Sequence, residues 1–283
     1  MANLIRALRK SYEEITTAEY VLCLNSSWIL PTSALFAWRL LASVYAFTVL
    51  FFHIGWRCTH DACEAARQSF SYFTVLGYWG LAFYFAFAAA HTATYRWKGR
   101  PWLLDWPSCM RWLHSVFYAS VTVFPYVVTA VYWGVLSGEA FISTFSTWSN
   151  ISQHALNSVL AFSEIILTGS KPHPWINAAA LVVLLACYLG LAYLTYATEG
   201  IYVYSFLDLN ANSSGIVAAY CIGILVGTIL VFVIVRYLQW LRMWIVETKL
   251  HRWQPGPSQD SQHPKTIDTE MQEPKILCKT SAP

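Results

Sequence analysis

Charge is scarce in this chain: 12% of its 283 residues are Asp, Glu, Lys or Arg, against the roughly 25% of soluble globular domains. A water-facing enzyme surface cannot be assembled from so little. The formal net charge of +3 is too small and too scattered to track a phosphate backbone, which sets nucleic-acid binding aside as a main role. No signal peptide is expected, because MANLIRALRKSYEE has neither an uninterrupted apolar stretch nor a small-residue cleavage site. No internal repeat is visible. Nor do the apolar runs alternate with polar residues over about 10 positions, as barrel strands would. What abounds is apolar: 57% of residues are hydrophobic and 17% aromatic, too many for a disordered chain. An integral membrane protein is expected.

Six runs approach the roughly 20 apolar residues that cross ~30 Å of hydrocarbon: residues 32–54, 70–90, 113–136, 150–168, 175–198 and 215–237. Inside them the formal charges are Arg39, Glu164 and the terminal Arg236. Eleven of the 14 tryptophans fall near span ends, where an interfacial aromatic belt places them. With an even number of spans, one side collects 15 of the 18 Lys and Arg and the other only Arg57 and Arg67, so the excess predicts that both termini are cytoplasmic. The expected fold class is all-α: a polytopic membrane helix bundle of six transmembrane helices with cytoplasmic N- and C-termini, in the endoplasmic reticulum, another endomembrane or the plasma membrane. Four regions follow. Residues 1–31 form a cytoplasmic segment, in which Asn3–Leu24 can make a surface helix with Ile5, Leu8 and Tyr12 on one side. Residues 32–237 are the transmembrane domain, 238–252 a juxtamembrane helix end, and 253–283 a proline-punctuated polar tail expected to be disordered.

Cys58 and Cys63 lie in WRCTHDACEAARQ, on the side expected to be non-cytoplasmic, where a short disulfide loop can close; two free thiols are the alternative. His60 and Asp61 between them do not make a zinc spacing. Neither a metal nor a cofactor is expected.

Ionisable and polar groups in hydrocarbon are expensive and therefore point to function. In SNISQHALNSVLAFSEIILT, at about 100° per residue, Asn150, His154, Asn157, Ser158, Glu164 and Thr168 fall within roughly 120° of one another. This polar stripe must face other helices or a wet cavity, and hydrogen-bonded packing between spans accounts for it as readily as a site does. Spans two and four run in the same direction. Thr74 and His154 each lie about four residues into their spans, at one depth, about 6 Å below the interface. A hydroxyl and an imidazole so placed can form a nucleophile and base, because threonine is a poor nucleophile until a base within about 3 Å takes its proton. Against this stands the usual habit of a membrane threonine, which is to bond back to the i−4 carbonyl.

Several segments together resemble a known family: SFSYFT ending in Thr74, FPYVVTAVYW, Asn150 with His154 four and Glu164 fourteen residues later, and GIYVYSFLD between Glu199 and Leu209. Their order and spacing over about residues 70–210 are similar to the androgen-induced-gene family of multi-pass membrane threonine hydrolases. The resemblance implies cleavage of fatty acid esters of hydroxy fatty acids, with Thr74 and His154 as the matching threonine and histidine. The chain departs from that pattern at Ile151, where the family has a second histidine, at Tyr196 and Ala197, where it has a histidine pair, and at Ser205, where it has proline.

On this basis His154 removes the Thr74 proton, the alkoxide attacks a lipid ester, and water releases the acyl-enzyme. Asn150 and Asn157 are candidate amide donors to the oxyanion, Asp208 is the nominated orienter of His154, and Ser158 and Glu164 belong to the polar stripe. Glu164 lies about 15 Å deeper than His154. His53 is the alternative base. The expected partners are a lipid ester substrate and the membrane. Two other classes remain: a transporter using the stripe with Arg39 and Glu164 as a mid-membrane pair, and a non-catalytic lipid-binding or scaffold protein.

Overall fold

The computed structural model describes residues 2–137 and 141–248. The expected tail 253–283 lies outside the described residues. Among those described there are helices and no strands: α1 (Ala2–Ile15), α2 (Ala18–Leu24), α3 (Thr32–Thr59), α4 (Cys63–Gln68), α5 (Phe73–Lys98), α6 (Ser108–Val131), α7 (Thr144–Ile151), α8 (Asn157–Leu167), α9 (Trp175–Glu199) and α10 (Ser214–Thr248). Five are long and apolar enough to cross a membrane: α3, α5, α6 with the π turn that follows it, α9 and α10. A further helical run joins α7 of 8 residues, a π segment of 5 (Ser152–Leu156) and α8 of 11 without a break. The protein is an all-α membrane helix bundle.

Local chemistry sets the helix ends. Pro31, Pro107 and Pro174 stand just before α3, α6 and α9 in extended conformation, where a missing N–H costs nothing because the first-turn donors have no intrahelical acceptor. Gly99 and Gly200 close α5 and α9 at φ of 68° and 71°, a left-handed cap that favours glycine. Pro107 starts α6 at Ser108, earlier than expected, and α10 continues to Thr248 because no helix breaker interrupts it. α5 starts at Phe73, later than expected, because Ser69–Ser71 form a separate 3₁₀ turn.

α3 packs along α5. Ala42 and Ala46, one turn apart and buried, let the helices approach closely, as small residues do in membrane bundles, and Ser43 Oγ donates to the Ala82 carbonyl at 3.1 Å. Large apolar side chains such as Leu41, Val183, Ile222 and Leu230 point outward, which is the surface lipid requires and water does not. Between α8 and α9 the chain passes under Ser26: Gly169 N donates to Ser26 O at 2.7 Å, and a Cβ at Gly169 would stand 2.9 Å from Ser26 Oγ.

Two expectations change. The N-terminal segment is not one surface helix. It breaks at Thr16 and Thr17, where Thr17 caps α2, and α2 is built into the bundle: Tyr20, Val21, Cys23 and Leu24 are buried and Tyr20 Oη meets Ser115 Oγ at 2.9 Å. The second concerns Arg39 and Glu164, named together in the transporter alternative alone. Both side chains are 1% exposed and ion-paired. Arg39 also donates to Thr92 Oγ1 (2.5 Å) and Leu24 O (2.8 Å), and Tyr84 Oη donates to Glu164 Oε1 (2.8 Å).

Removing one member of such a pair strands a charge in hydrocarbon. Glu164→Leu is expected to destabilise the bundle by about 3–5 kcal/mol, and Glu164→Leu combined with Arg39→Met by much less. Thermal unfolding in detergent checks this; a double variant no more stable than Glu164→Leu would show that the pair is not what the loss reports.

Candidate functional site

The segment that positions Thr74 is held from outside the bundle. Cys58 and Cys63 are bonded, with Sγ–Sγ 2.01 Å, and close the turn in which Asp61 takes φ 57°. From there α4 and the 3₁₀ turn lead straight to α5. Arg67 anchors this approach: it donates to Glu199 Oε1 (2.8 Å) and Oε2 (3.1 Å) at the end of α9, and to Glu64 Oε2 (3.0 Å) within α4. A fork of this kind matches guanidinium to carboxylate geometry. These hydrogen bonds hold the Arg67 pKa above the usual guanidinium range and the Glu64 carboxyl below its ordinary value.

The first N–H groups of α5 have no intrahelical acceptor; the ladder begins with Leu76 N on Tyr72 O at 3.1 Å. Two tyrosines meet this end. Phe73 N donates to Tyr188 Oη (3.0 Å) and to Tyr204 Oη (3.1 Å), while Tyr188 Oη donates to Ser71 O (3.0 Å). Tyr204 Oη thus sits at the residue before Thr74, and the two side chains line one cavity. Burial pushes the Tyr204 phenol above its ordinary pKa, with the surrounding donors working against that rise, so its proton stays on at neutral pH. Tyr204 itself is fixed by stacking on Phe206, with centroids 5.1 Å apart, and by an edge contact with Tyr72 at 5.6 Å.

Thr74 lies where two apolar cavities meet. One, of about 280 Å³, runs between the end of α6, α9, residues 204–207 and α10. The other, of about 330 Å³, lies between α5, α6 and α9 and has Asn157 in its wall. Phe73, Thr74, Val128 and Tyr188 line both. Asn157 is buried: its Oδ1 accepts from Thr129 Oγ1 (3.2 Å) and from Ser158 N (2.7 Å), and Ser158 Oγ meets Thr129 Oγ1 at 2.7 Å.

His154 falls in the π segment between α7 and α8. Its ring stacks face to face on Tyr132, with centroids 3.5 Å apart and planes 3° apart. Its carbonyl accepts from Trp133 Nε1 at 2.9 Å, and its buried Nδ1 has no hydrogen-bond partner. Tyr132 belongs to a second π turn (Tyr132–Leu136) at the end of α6 and lines the smaller cavity. Two π turns, which occur often at functional sites, thus meet through one ring pair. No hydrogen bond joins Thr74 to His154. The matched count of four residues from each span start does not hold either. α5 begins one residue before Thr74, whereas Ser143 caps α7 well before the expected start at 150, so His154 sits ten residues along its helix.

The remaining residues disperse. Asn150 lies one turn before His154 on α7. Asp208 is committed to its own turn, its Oδ1 accepting from Asn210 N (2.7 Å) and Ala211 N (3.3 Å), and nothing joins it to His154. Glu164 belongs to the Arg39 pair. His53 Nδ1 pairs with Ser149 Oγ at 2.9 Å and its ring lies against Phe145. Among the described residues no group of three or more His, Cys, Asp or Glu is placed to hold a metal ion. Tyr188 and Tyr204 were missed as site residues. The sequence sets neither apart: Tyr188 is one of two tyrosines in the apolar run VLLACYLGLAYL, and Tyr204 is the second tyrosine of YVYSFL.

The Arg67 clamp makes a pH prediction. Because the Glu64 carboxyl is depressed, its contribution is complete above the unfolded value of about 4.3 and is lost as pH falls through the lower folded value. Amide protection over residues 63–71 should therefore hold from about pH 7 to 5 and drop by about pH 3; hydrogen exchange that is flat across this range would contradict it. Comparison of the chain with protein-family models, with curated proteins and with solved structures finds no match.

Proposed function

We propose that the protein is an integral-membrane lipid-ester hydrolase with Thr74 as nucleophile and His154 as base, related to the androgen-induced-gene family. One observation carries this reading: the Thr74 hydroxyl stands at the junction of two apolar cavities, beside the open N-terminus of α5. An ester with an apolar chain on each side of its carbonyl fits such a junction, one chain per cavity. Entry is lateral from lipid, and the cavity walls keep water away until the acyl group is attached.

In the first step Thr74 Oγ1 attacks the carbonyl carbon and its proton passes to His154. The bond to the alcohol oxygen breaks, and the alcohol leaves with that proton. In the second step a water molecule gives one proton to His154 and attacks the acyl carbon. The bond to Thr74 breaks, Thr74 recovers the proton, and the fatty acid is released. For this His154 must reach the cavity, and its Nδ1, unpartnered beneath Tyr132, becomes accessible when that ring turns. Asn157, in the wall of the larger cavity, accepts from Thr129 and Ser158 N through Oδ1 and donates Nδ2 to Pro125 O at 3.4 Å.

In this reading the chain has six spans, counting the run from α7 through α8, and both termini are cytoplasmic. One end of the bundle gathers the Lys171–Glu19 ion pair at 2.9 Å and the hydrogen bond from Arg111 to Thr16 O; the excess of Lys and Arg makes that end cytoplasmic. Thr74 then faces the opposite side, in the endoplasmic reticulum, a related endomembrane or the plasma membrane.

A non-catalytic lipid-binding role uses the same cavities, and the lack of a hydrogen bond between Thr74 and His154 favours it. The test is hydrolysis of a branched fatty-acyl hydroxy fatty acid ester by detergent-solubilised protein, wild type beside Thr74→Ala and His154→Ala at equal folded amount. Turnover by wild type alone, with each variant down by at least about 10³-fold, is expected. Equal turnover in Thr74→Ala, or none in wild type, would leave the lipid-binding role.

A further inference from the structure

We infer that Tyr204 is a catalytic residue of the Thr74 centre, the hydrogen-bond donor that stabilises the oxyanion, acting with the Val75 amide in the first turn of α5. The inference rests on the hydrolase reading and gives it a component that neither the polar stripe nor the histidine provides.

Three observations converge on the phenol. Tyr204 Oη meets the backbone of Phe73, the residue before Thr74, and Tyr204 and Thr74 line the same cavity, so the phenol stands next to the nucleophile. It is held there by Phe73 N at 3.1 Å and by ring contacts with Phe206 and Tyr72, which fix direction as well as distance. And it belongs to a loop wall of the smaller cavity, together with Phe206 and Leu207, so a carbonyl brought to Thr74 by an acyl chain in that cavity arrives beside the phenol. Buried and protonated, the phenol can donate; it is no base. Phe73 N is already used by the two tyrosines. Val75 N precedes the first intrahelical bond of Leu76 and therefore still needs an acceptor.

The chemistry needs no proton from Tyr204. At rest Tyr204 Oη accepts from Phe73 N at 3.1 Å, which leaves its own O–H to be given. As Oγ1 bonds to the carbonyl carbon, the carbonyl π pair moves onto oxygen, and the Tyr204 O–H turns to that oxygen with Val75 N beside it. When the leaving alcohol departs, the pair returns to the carbonyl and the phenol is released. The donor is strongest where charge develops, which is the requirement for lowering a barrier and not merely tightening substrate binding. Tyr188 plays a different part: its hydroxyl donates to Ser71 O and positions the turn before α5.

The test uses the full chain in detergent, the branched ester, and a long-chain trifluoromethyl ketone, whose carbonyl Thr74 attacks to give an anionic adduct without turnover. Tyr204→Phe keeps the ring contacts and should lower kcat about 100-fold or more while KM stays within about twofold, with ketone affinity falling in parallel. If Thr74→Ala abolishes hydrolysis and ketone binding but Tyr204→Phe changes neither, the oxyanion role is wrong and the hydrolase reading stands. If Thr74→Ala hydrolyses as well as wild type, the hydrolase reading falls and this role falls with it. Should Tyr204→Phe lose its cooperative thermal transition, 3-fluorotyrosine at position 204 decides. The fluorine makes the phenol a stronger donor at nearly the same shape, so ketone binding must tighten; unchanged binding would overturn the assignment.

Discussion

The arrangement depends on one ion pair. In hydrocarbon a guanidinium cannot stand alone, and Arg39 spends its donors on Glu164, Thr92 and the Leu24 carbonyl. Each acceptor lies on or beside a different helix, so satisfying a single side chain fixes α2, α3, α5 and α8 against one another. Glu164 is saturated from the other side by Tyr84. A pair buried this well is held at one geometry, because any displacement strands a charge. The depth of α8 against α5 is thereby set at the Arg39 end of both helices. Thr74 and His154 lie toward the opposite end, where cavities open between α5, α6, α9 and α10.

The same economy governs the arginines of α10. The stretch between α8 and α9 is not helical, so its carbonyls lack ladder partners. Arg242 donates to Ile165 O and Ser170 O, Arg236 to His173 O, and Gln239 Oε1 accepts from His173 N at 2.9 Å. The long continuation of α10 exists to deliver these side chains. Intramembrane charge in this protein is thus spent on closing backbone and on joining helices. A charge committed in this way is a poor carrier for a translocated ion, which weighs against reading Arg39 and Glu164 as a transport path.

Much of the fold is legible in the sequence because hydrocarbon imposes a simple rule: apolar runs of sufficient length become helices, and prolines and glycines mark where they begin and end. The helix class and five of the six expected spans follow from local patterns, whereas WRCTHDACEAARQ left the Cys58–Cys63 closure open beside two free thiols. What is not legible depends on distance in the chain. Nothing in AEYVLCL announces that α2 will be packed under α3 and α6, since an amphipathic segment reads alike whether its apolar face meets lipid or protein. Counting residues from a hydropathy edge placed Thr74 and His154 at one depth, but hydropathy does not see that Ser143 caps α7 and lengthens that helix outward. Tyr204 was hidden for a different reason. Tyrosine is common at membrane interfaces, and only the approach of its hydroxyl to the start of α5, 131 residues away in sequence, separates it from an ordinary belt residue.

On the hydrolase reading, the separation of Thr74 from His154 means that the two must be brought together before the first step. A threonine with no base in contact is inert, and an imidazole beneath a stacked ring is equally idle. Both conditions turn on the cavity wall: Tyr132 lines the space that an acyl chain would fill and covers His154 on its other side. A chain entering that space competes with the Tyr132 ring for volume, and the π turn carrying it is a tolerant place for the ring to move, since π geometry is already a local departure from the helix. On the hydrolase reading, therefore, the substrate's own apolar chain opens the route from nucleophile to base. An empty site then neither hydrolyses lipid that merely passes nor exposes an activated threonine to water.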